Sequence, residues 1–216
     1  MSAFAMTATA DPRFWNDLAE TYAAKPVDNP EAFDRKTEVT RALVEPDHTV
    51  LDVGCGTGSF CLRLAPSGAQ IHGLDLSDEM IRIARSKVEG TQNVQFHVGP
   101  FDQRFNVFGP GSLDGLFAYS LLHLLPDRAA LLQRAFELLR PGGYFVASTV
   151  CLGESWVPYA PLLLAMRLVG KAPWIATGLS KSTVHEEVRA AGFVDLQTPE
   201  VGAASRTDFL VARKPA

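Results

Sequence analysis

The sequence predicts an α/β protein built on a mostly parallel sheet with helices on both faces. Short β-branched or continuously apolar runs alternate with segments of helical period along most of the chain. The first such run leads into a turn dense in glycine, and the second ends on an acid, Asp75, about 20 residues past the first of those glycines.

Ahead of the first strand, residues 13–24 and 31–44 read as two helices separated by Pro26 and Pro30, a helical lid for one sheet edge. Thr49-Val50-Leu51-Asp52-Val53 is a strand closed by glycines, and Gln70-Ile71-His72-Gly73-Leu74-Asp75 is a second, both buried on two faces. Between them Phe60, Leu62 and Leu64 mark a short helix stopped by Pro66 and Gly68. Ser77 suits an N-cap, Asp78 and Glu79 suit the positive end of a helix, and Ile81, Ala84 and Val88 recur at helical spacing before Gly90. Residues 94–98 and 113–118 read as strands, and 127–139 as a helix that Arg140-Pro141-Gly142-Gly143 ends sharply. Tyr144 begins a continuous apolar strand to Val150, Ser180 caps a helix lined by Val184, Val188 and Ala191, and 193–196 and 209–212 are the last strands. Residues 151–178, with three prolines and two tryptophans, are too long for an ordinary connection and read as a helical cap insertion.

The 216 residues, 47% hydrophobic and 20% charged, fit one globular domain over 1–216 and exclude a disordered chain. Lys and Arg number 20 against 24 Asp and Glu, so the basic excess that nucleic-acid binding needs is missing. Cys55, Cys61 and Cys151 are an odd set without CxxC spacing, which argues against a disulfide framework or a zinc site and fits a reducing cytoplasm. The small apolar run 1–10 has no basic start and reads as a frayed tail; the apolar stretch 158–170, broken by Pro161 and Arg167, falls short of the roughly 20 residues of a membrane span.

Chemistry concentrates at Val50-Leu51-Asp52-Val53-Gly54-Cys55-Gly56-Thr57-Gly58, a strand entering a glycine turn where backbone approaches a ligand closely. Ser59 stands where a dinucleotide fingerprint has its last glycine, so the pyrophosphate pattern is not met. Asp75 stands where a carboxylate accepts bonds from a ribose diol, which keeps a nucleoside ligand in view.

With these features, the run SLDGLFAYSLLHLL (112–125) and Leu139-Arg140-Pro141-Gly142-Gly143, the chain resembles the class I S-adenosylmethionine-dependent methyltransferases, particularly small-molecule enzymes with the ubiquinone-biosynthesis type of motif set. The resemblance is strong over residues 49–143. It implies a Rossmann-like seven-stranded sheet with one antiparallel strand, S-adenosylmethionine across the carboxyl edge, and a small-molecule acceptor held by the lid and cap. It also implies that Gly54, Cys55 and Gly56 pass beneath the methionine part of the donor, offering backbone groups to its ammonium and carboxylate, with Asp52 orienting the loop. Asp75 would bind the ribose, Leu76 and Met80 would pack on the adenine, Tyr119 would meet the methionine end or the sulfonium, and Tyr22 would close over the donor. Where the family has Gly-Asp after the third strand, this chain has Gly99-Pro100-Phe101-Asp102, so either the Phe101 backbone and Asp102 contact the adenine or packing alone holds it.

Methyl transfer by in-line displacement needs alignment and exclusion of water rather than a covalent nucleophile. His123, after the fourth strand, is the candidate general base, or else a support for the loop. His72 and His97 read as structural. His185 with Glu186 and Glu187 reads as a solvated helix face rather than a metal cluster, because adjacent helix residues point different ways. Cys55 reads as a backbone position rather than a reactive thiol. Trp156, Tyr159, Leu162, Leu163, Met166 and Trp174 suit either an apolar acceptor or simple packing, with Tyr159 and Glu154 available for hydrogen bonds to the acceptor. The alternatives are a nicotinamide-dependent oxidoreductase on a degenerate dinucleotide fold and a non-catalytic nucleoside-binding protein.

Overall fold

The computed structural model describes residues 12–88, 90–153, 159–168 and 178–216. Its core is a seven-stranded sheet in the order β3-β2-β1-β4-β5-β7-β6. The strands are β1 (Thr49–Val53), β2 (Gln70–Asp75), β3 (Val94–Val98), β4 (Leu113–Tyr119), β5 (Leu139–Val150), β6 (Val194–Gln197) and β7 (Thr207–Arg213). Neighbours among β1–β5 pair parallel, and β7 runs antiparallel to both β5 and β6. The Rossmann-like sheet with one reversed strand is therefore present.

Alternation along the strands sends side chains to two cores. Leu51, Leu116, Ala118, Phe145 and Ala147 face one layer with α5 (Arg128–Leu138) and α7 (Lys181–Ala190). Val50, Ile71, Phe117 and Val146 face the other with α3 (Ser59–Leu64). The same layer holds Ile81 and Ala84 of α4 (Asp78–Ser86) and Phe33 and Val39 of α2 (Pro30–Arg41). Burial on both faces is what makes β1, β4 and the 144–150 part of β5 largely apolar. α1 (Pro12–Ala24) rests on α4, where Ala19, Met80 and Ile83 form a small cluster of their own with Trp15. Of the two helices expected over the sheet edge, α1 takes that place, while α2 lies on the sheet face and brings Thr40 to the Tyr119 hydroxyl at 2.5 Å.

Helix ends follow the expected side chains. Ser77 receives the Met80 N–H at 3.0 Å and Asp127 the Ala130 N–H at 3.0 Å. The Arg-Pro-Gly-Gly segment departs from expectation: α5 ends at Leu138, and Leu139 already pairs with Leu113 as the start of β5. The register then shifts before Gly115 meets Tyr144, so Arg140, Pro141, Gly142 and Gly143 form an irregularity inside the strand rather than a loop before it. Hydrogen bonds from Gly142 to Lys214 and from Lys214 to Gly143, at 3.0 and 2.9 Å, stabilise that shape. In the cap, α6 (Tyr159–Leu168) is described; Glu154, Trp156, Lys171 and Trp174, and the tail 1–10, lie outside the described residues. Among the described residues no helix is long and apolar enough to cross a membrane.

His72 on β2 and His97 on β3 meet at 3.0 Å between ring nitrogens, with Phe105 and Phe108 against their edges. Burial, then the proximity of His97, lowers the His72 pKa from 6.5 to about 4. Below pH 6.5 the unfolded chain gains a proton here that the folded chain refuses, so the stability tied to neutral His72 is complete above pH 6.5 and is lost as pH falls towards 4. The stability advantage of wild type over His72→Gln, read from urea midpoints, should accordingly shrink by about 1–2 kcal/mol across that window, the full shift being reduced by solvent screening of the ring. An advantage that stays constant between pH 7 and 4.5 would refute the assignment.

Candidate functional site

A cavity of about 560 Å³ opens at the carboxyl ends of β1, β2 and β4. That size lies within the range of small-molecule sites. Its floor is the glycine turn after β1. Gly54, Gly56 and Gly58 all have positive φ, of 71°, 53° and 75°. What a side chain would meet differs among them. A Cβ at Gly58 would lie 2.4 Å from Phe96 Cζ, and one at Gly54 3.0 Å from Leu121 Cδ1. At Gly56 the nearest atom is Tyr22 Cε1, 3.9 Å away, so that position opens into the cavity with the α1 tyrosine beside it.

The N–H groups of the turn are already engaged. Gly54 and Cys55 both donate to Leu74 O, at 2.7 and 3.1 Å, Gly56 donates to Asp75 Oδ2 at 2.8 Å, and Gly58 donates to Cys55 O at 3.0 Å. The N–H groups of Gly54, Cys55 and Gly56 are therefore taken within the protein, and of the turn's carbonyls Cys55 O and Thr57 O are engaged as well, by Gly58 N–H and Lys87 Nζ. The other Asp75 oxygen receives the Ser77 N–H at 2.9 Å. Burial raises the Asp75 pKa against these bonds and a further one from the Leu76 N–H, and the carboxylate keeps acceptor capacity for a ligand.

Tyr22, Gly54, Gly56, Asp75, Leu76, Met80, Phe101, Asp102, Tyr119 and His123 all line this cavity; Asp52 and Cys55 do not. Asp52 lies beneath the turn, 2% exposed, receiving the Cys61 thiol at 3.5 Å through Oδ2 while Oδ1 has no partner. Burial lifts its pKa to about 8. The Cys55 thiol is buried and its pKa is raised by that burial, the opposite of a reactive cysteine. Tyr119 commits its hydroxyl to Thr40 and packs its ring 4.0 Å from that of Phe60, so its polar end turns away from the cavity. Asp102 holds Arg104 through both carboxylate oxygens, and that ion pair depresses its pKa.

His123 is 8% exposed, its backbone N–H donates to Thr149 Oγ1 at 3.1 Å, and its Nδ1 lies 3.2 Å from the same oxygen. Burial brings its pKa down to about 4, so the ring is neutral at physiological pH and a weak base. Against expectation, His185 is half-buried and donates through Nε2 to the buried Asp208 at 2.9 Å. Sequence reasoning missed Trp15, Gln103, Leu121, Leu124, Leu131 and Arg134 on the cavity wall. The wall of β4 and α5 is signalled only by the leucine-rich run 121–125, which reads equally well as core. Among the described residues no cluster of three or more His, Cys, Asp or Glu is arranged to hold a metal.

Residues 45–188 match the family described as "Methyltransferase domain". The chain belongs to the class I S-adenosylmethionine-dependent methyltransferase family. It is 33% identical over 148 residues to the ubiquinone biosynthesis O-methyltransferase of Xanthomonas campestris pv. campestris (strain B100), covering 68% of this chain and 58% of that protein. It is 29% identical over 191 residues to the O-methyltransferase cnsE of Penicillium expansum, 87% of this chain and 66% of that one. The chain thus spans less than two thirds of these methyltransferases' own length. Among solved structures, a SAM-dependent methyltransferase from Aquifex aeolicus shares the fold at TM-score 0.68 and 20% identity, covering 94% of this chain and 98% of that one. The phosphoethanolamine N-methyltransferase 2 of Haemonchus contortus, solved with S-adenosyl-L-methionine, also matches at TM-score 0.68 with 18% identity, over 85% of this chain and 53% of that one.

The turn's geometry separates packing glycines from the open one. Gly56→Ala in this family member should lose only the left-handed backbone penalty, about 1–2 kcal/mol. Gly58→Ala should lose about 1–3 kcal/mol more because Phe96 must move. Equal losses in urea unfolding would contradict the placement.

Proposed function

We propose that this chain transfers a methyl group from S-adenosylmethionine to an oxygen of a small, largely apolar acceptor. The observation that carries the reading is the cavity itself, which joins a glycine floor and a ribose-type carboxylate on the β1–β2 side to a leucine-rich wall with one histidine on the β4–α5 side. The donor fits these residues on two counts: the space above Gly56 is one a Cβ would enter without meeting the turn, and Asp75 retains lone pairs for hydroxyl groups. Gly54 and Gly56 would pass beneath the donor, Asp75 would receive its sugar hydroxyls, Leu76, Met80 and Phe101 would flank its base, and Trp15 and Tyr22 would cover it. When bound, it supplies a methyl carbon made electrophilic by a sulfonium sulfur.

The chain's own contribution is positioning. α1 and the leucines of residues 121–125 exclude water, and the fixed floor holds the reacting groups at near-attack distance. With Asp102 tied to Arg104, Phe101 holds the base by packing more readily than Asp102 does by a hydrogen bond. Oxygen as the attacked atom is supported by relatives that are named O-methyltransferases. The nicotinamide alternative is disfavoured by the turn, whose N–H groups at Gly54, Cys55, Gly56 and Gly58 are engaged within the protein and so form no cradle for a pyrophosphate.

Isothermal calorimetry with S-adenosylmethionine and with NADH tests the reading. The protein should bind the sulfonium and not the dinucleotide. Asp75→Ala, which removes hydrogen bonds to a charged group worth about 1.5–3 kcal/mol each, should weaken the sulfonium by tenfold or more. Undiminished affinity in that variant, or NADH binding in its place, would sink the proposal.

A further inference from the structure

The hydrogens around His123 are countable. Thr149 Oγ1 accepts the backbone N–H of His123 at 3.1 Å and lies 3.2 Å from His123 Nδ1. The threonine is 1% exposed, and among the described residues its hydroxyl meets no partner other than His123. Asp208, opposite Thr149 in the β5–β7 register, gives its carboxylate to His185. A hydroxyl has one hydrogen to donate. If Nδ1 were protonated, Thr149 would accept twice from His123 and bury its own hydrogen without an acceptor, a costly arrangement. Everything is satisfied when Thr149 donates to Nδ1 and the ring's hydrogen sits on Nε2. With Nδ1 taken, Nε2 is the nitrogen left to address the cavity that His123 lines.

We propose that His123 meets the acceptor as a neutral hydrogen-bond donor through Nε2–H, in a tautomer imposed by Thr149, and that the acceptor presents an ionised oxygen, as a phenol or enol does. His123 then takes no proton in the reaction. The low basicity of the buried ring agrees with this geometry. Around the donor, Leu121, Leu124 and Leu125 make an apolar wall on which an oxyanion needs a hydrogen bond. The acceptor gives its proton to solvent as it binds, because a hydrogen bond to the charged form favours ionisation; the oxyanion then forms its bond to the methyl carbon as the sulfur–methyl bond breaks, and S-adenosylhomocysteine leaves with the electron pair on sulfur. Thr149 is a positioning residue, acting through the ring. The acceptor half of this proposal rests on the methyl-transfer reading; the tautomer does not.

Nitrogen-15 NMR of the imidazole in the ligand-free full chain reads the tautomer directly. A bare Nδ1 and a protonated Nε2 are expected, retained in Thr149→Ser and mixed in Thr149→Val; a protonated Nδ1 in wild type would overturn the proposal. With S-adenosylmethionine and a series of substituted phenols as acceptors, His123→Gln, which keeps an N–H but cannot serve as a base, should hold kcat/KM within about tenfold, and His123→Phe should lose about a hundredfold or more. Equal losses of about a hundredfold in both variants would make His123 the base and overturn the donor role. An Nε2–H tautomer with no phenol methylated would overturn the acceptor class, and calorimetry with S-adenosylmethionine then shows whether methyl transfer falls with it.

Discussion

The carboxylate of Asp75 is the constraint on which the rest of the site depends. One oxygen holds the turn after β1 through Gly56 N–H, and the other holds the start of α4 through Ser77 N–H. Ser77 in turn caps α4 at Met80 and donates to Asn16 of α1, whose amide reaches Asp78 at 2.6 Å. A single side chain at the end of β2 thus fixes the cavity's floor, the helix that flanks it and the helix that covers it. A carboxylate that accepts from backbone N–H groups at separate points in the sequence acts as a cross-link, and because it is buried it does so where a mispaired charge costs most.

The polar groups of the cavity are restrained in the same manner. Asp102 is held by Arg104, Tyr119 by Thr40, and His123 by Thr149, so few polar atoms are left pointing into the space. Such a site orients its ligand through a small number of fixed contacts and derives the remainder of its affinity from apolar surface. The engaged N–H groups of the glycine turn matter for the same reason. They leave the turn a surface of close approach with few free donors, poorly suited to a phosphate.

Much of this was legible from residue order alone. β1, β4 and the 144–150 part of β5 are largely apolar because both their faces are covered, and Ser77, Asp127 and Ser180 announce helix starts through a local hydrogen bond three residues on. The glycine turn and Asp75 were legible as well, since both belong to one strand-turn-strand unit. What stayed hidden depends on partners distant in sequence. Nothing near Leu139 reveals that Leu113 and Lys214 will draw the Arg-Pro-Gly-Gly segment into a strand, and nothing near His185 reveals Asp208. Thr149, an apolar-strand residue by pattern, gains significance only once the fourth and fifth strands lie side by side. The engagement of the Gly54 and Cys55 N–H groups was hidden because their acceptor, Leu74 O, is a backbone atom that no side-chain pattern encodes.

Phe96 illustrates how such packing binds the history of separate positions together. Its ring occupies the space that a Cβ would need at Gly58, on the turn, and at Gly73, in the middle of β2, where the gap would be only 2.6 Å. Neither glycine is free to acquire a side chain while that ring remains, and a smaller residue at position 96 would open a void until one of them does. The ring therefore ties the three positions together in inheritance: a side chain at either glycine needs a smaller residue at position 96 first, and at Gly73 the Cys55 sulfur, 2.8 Å away, must give way as well.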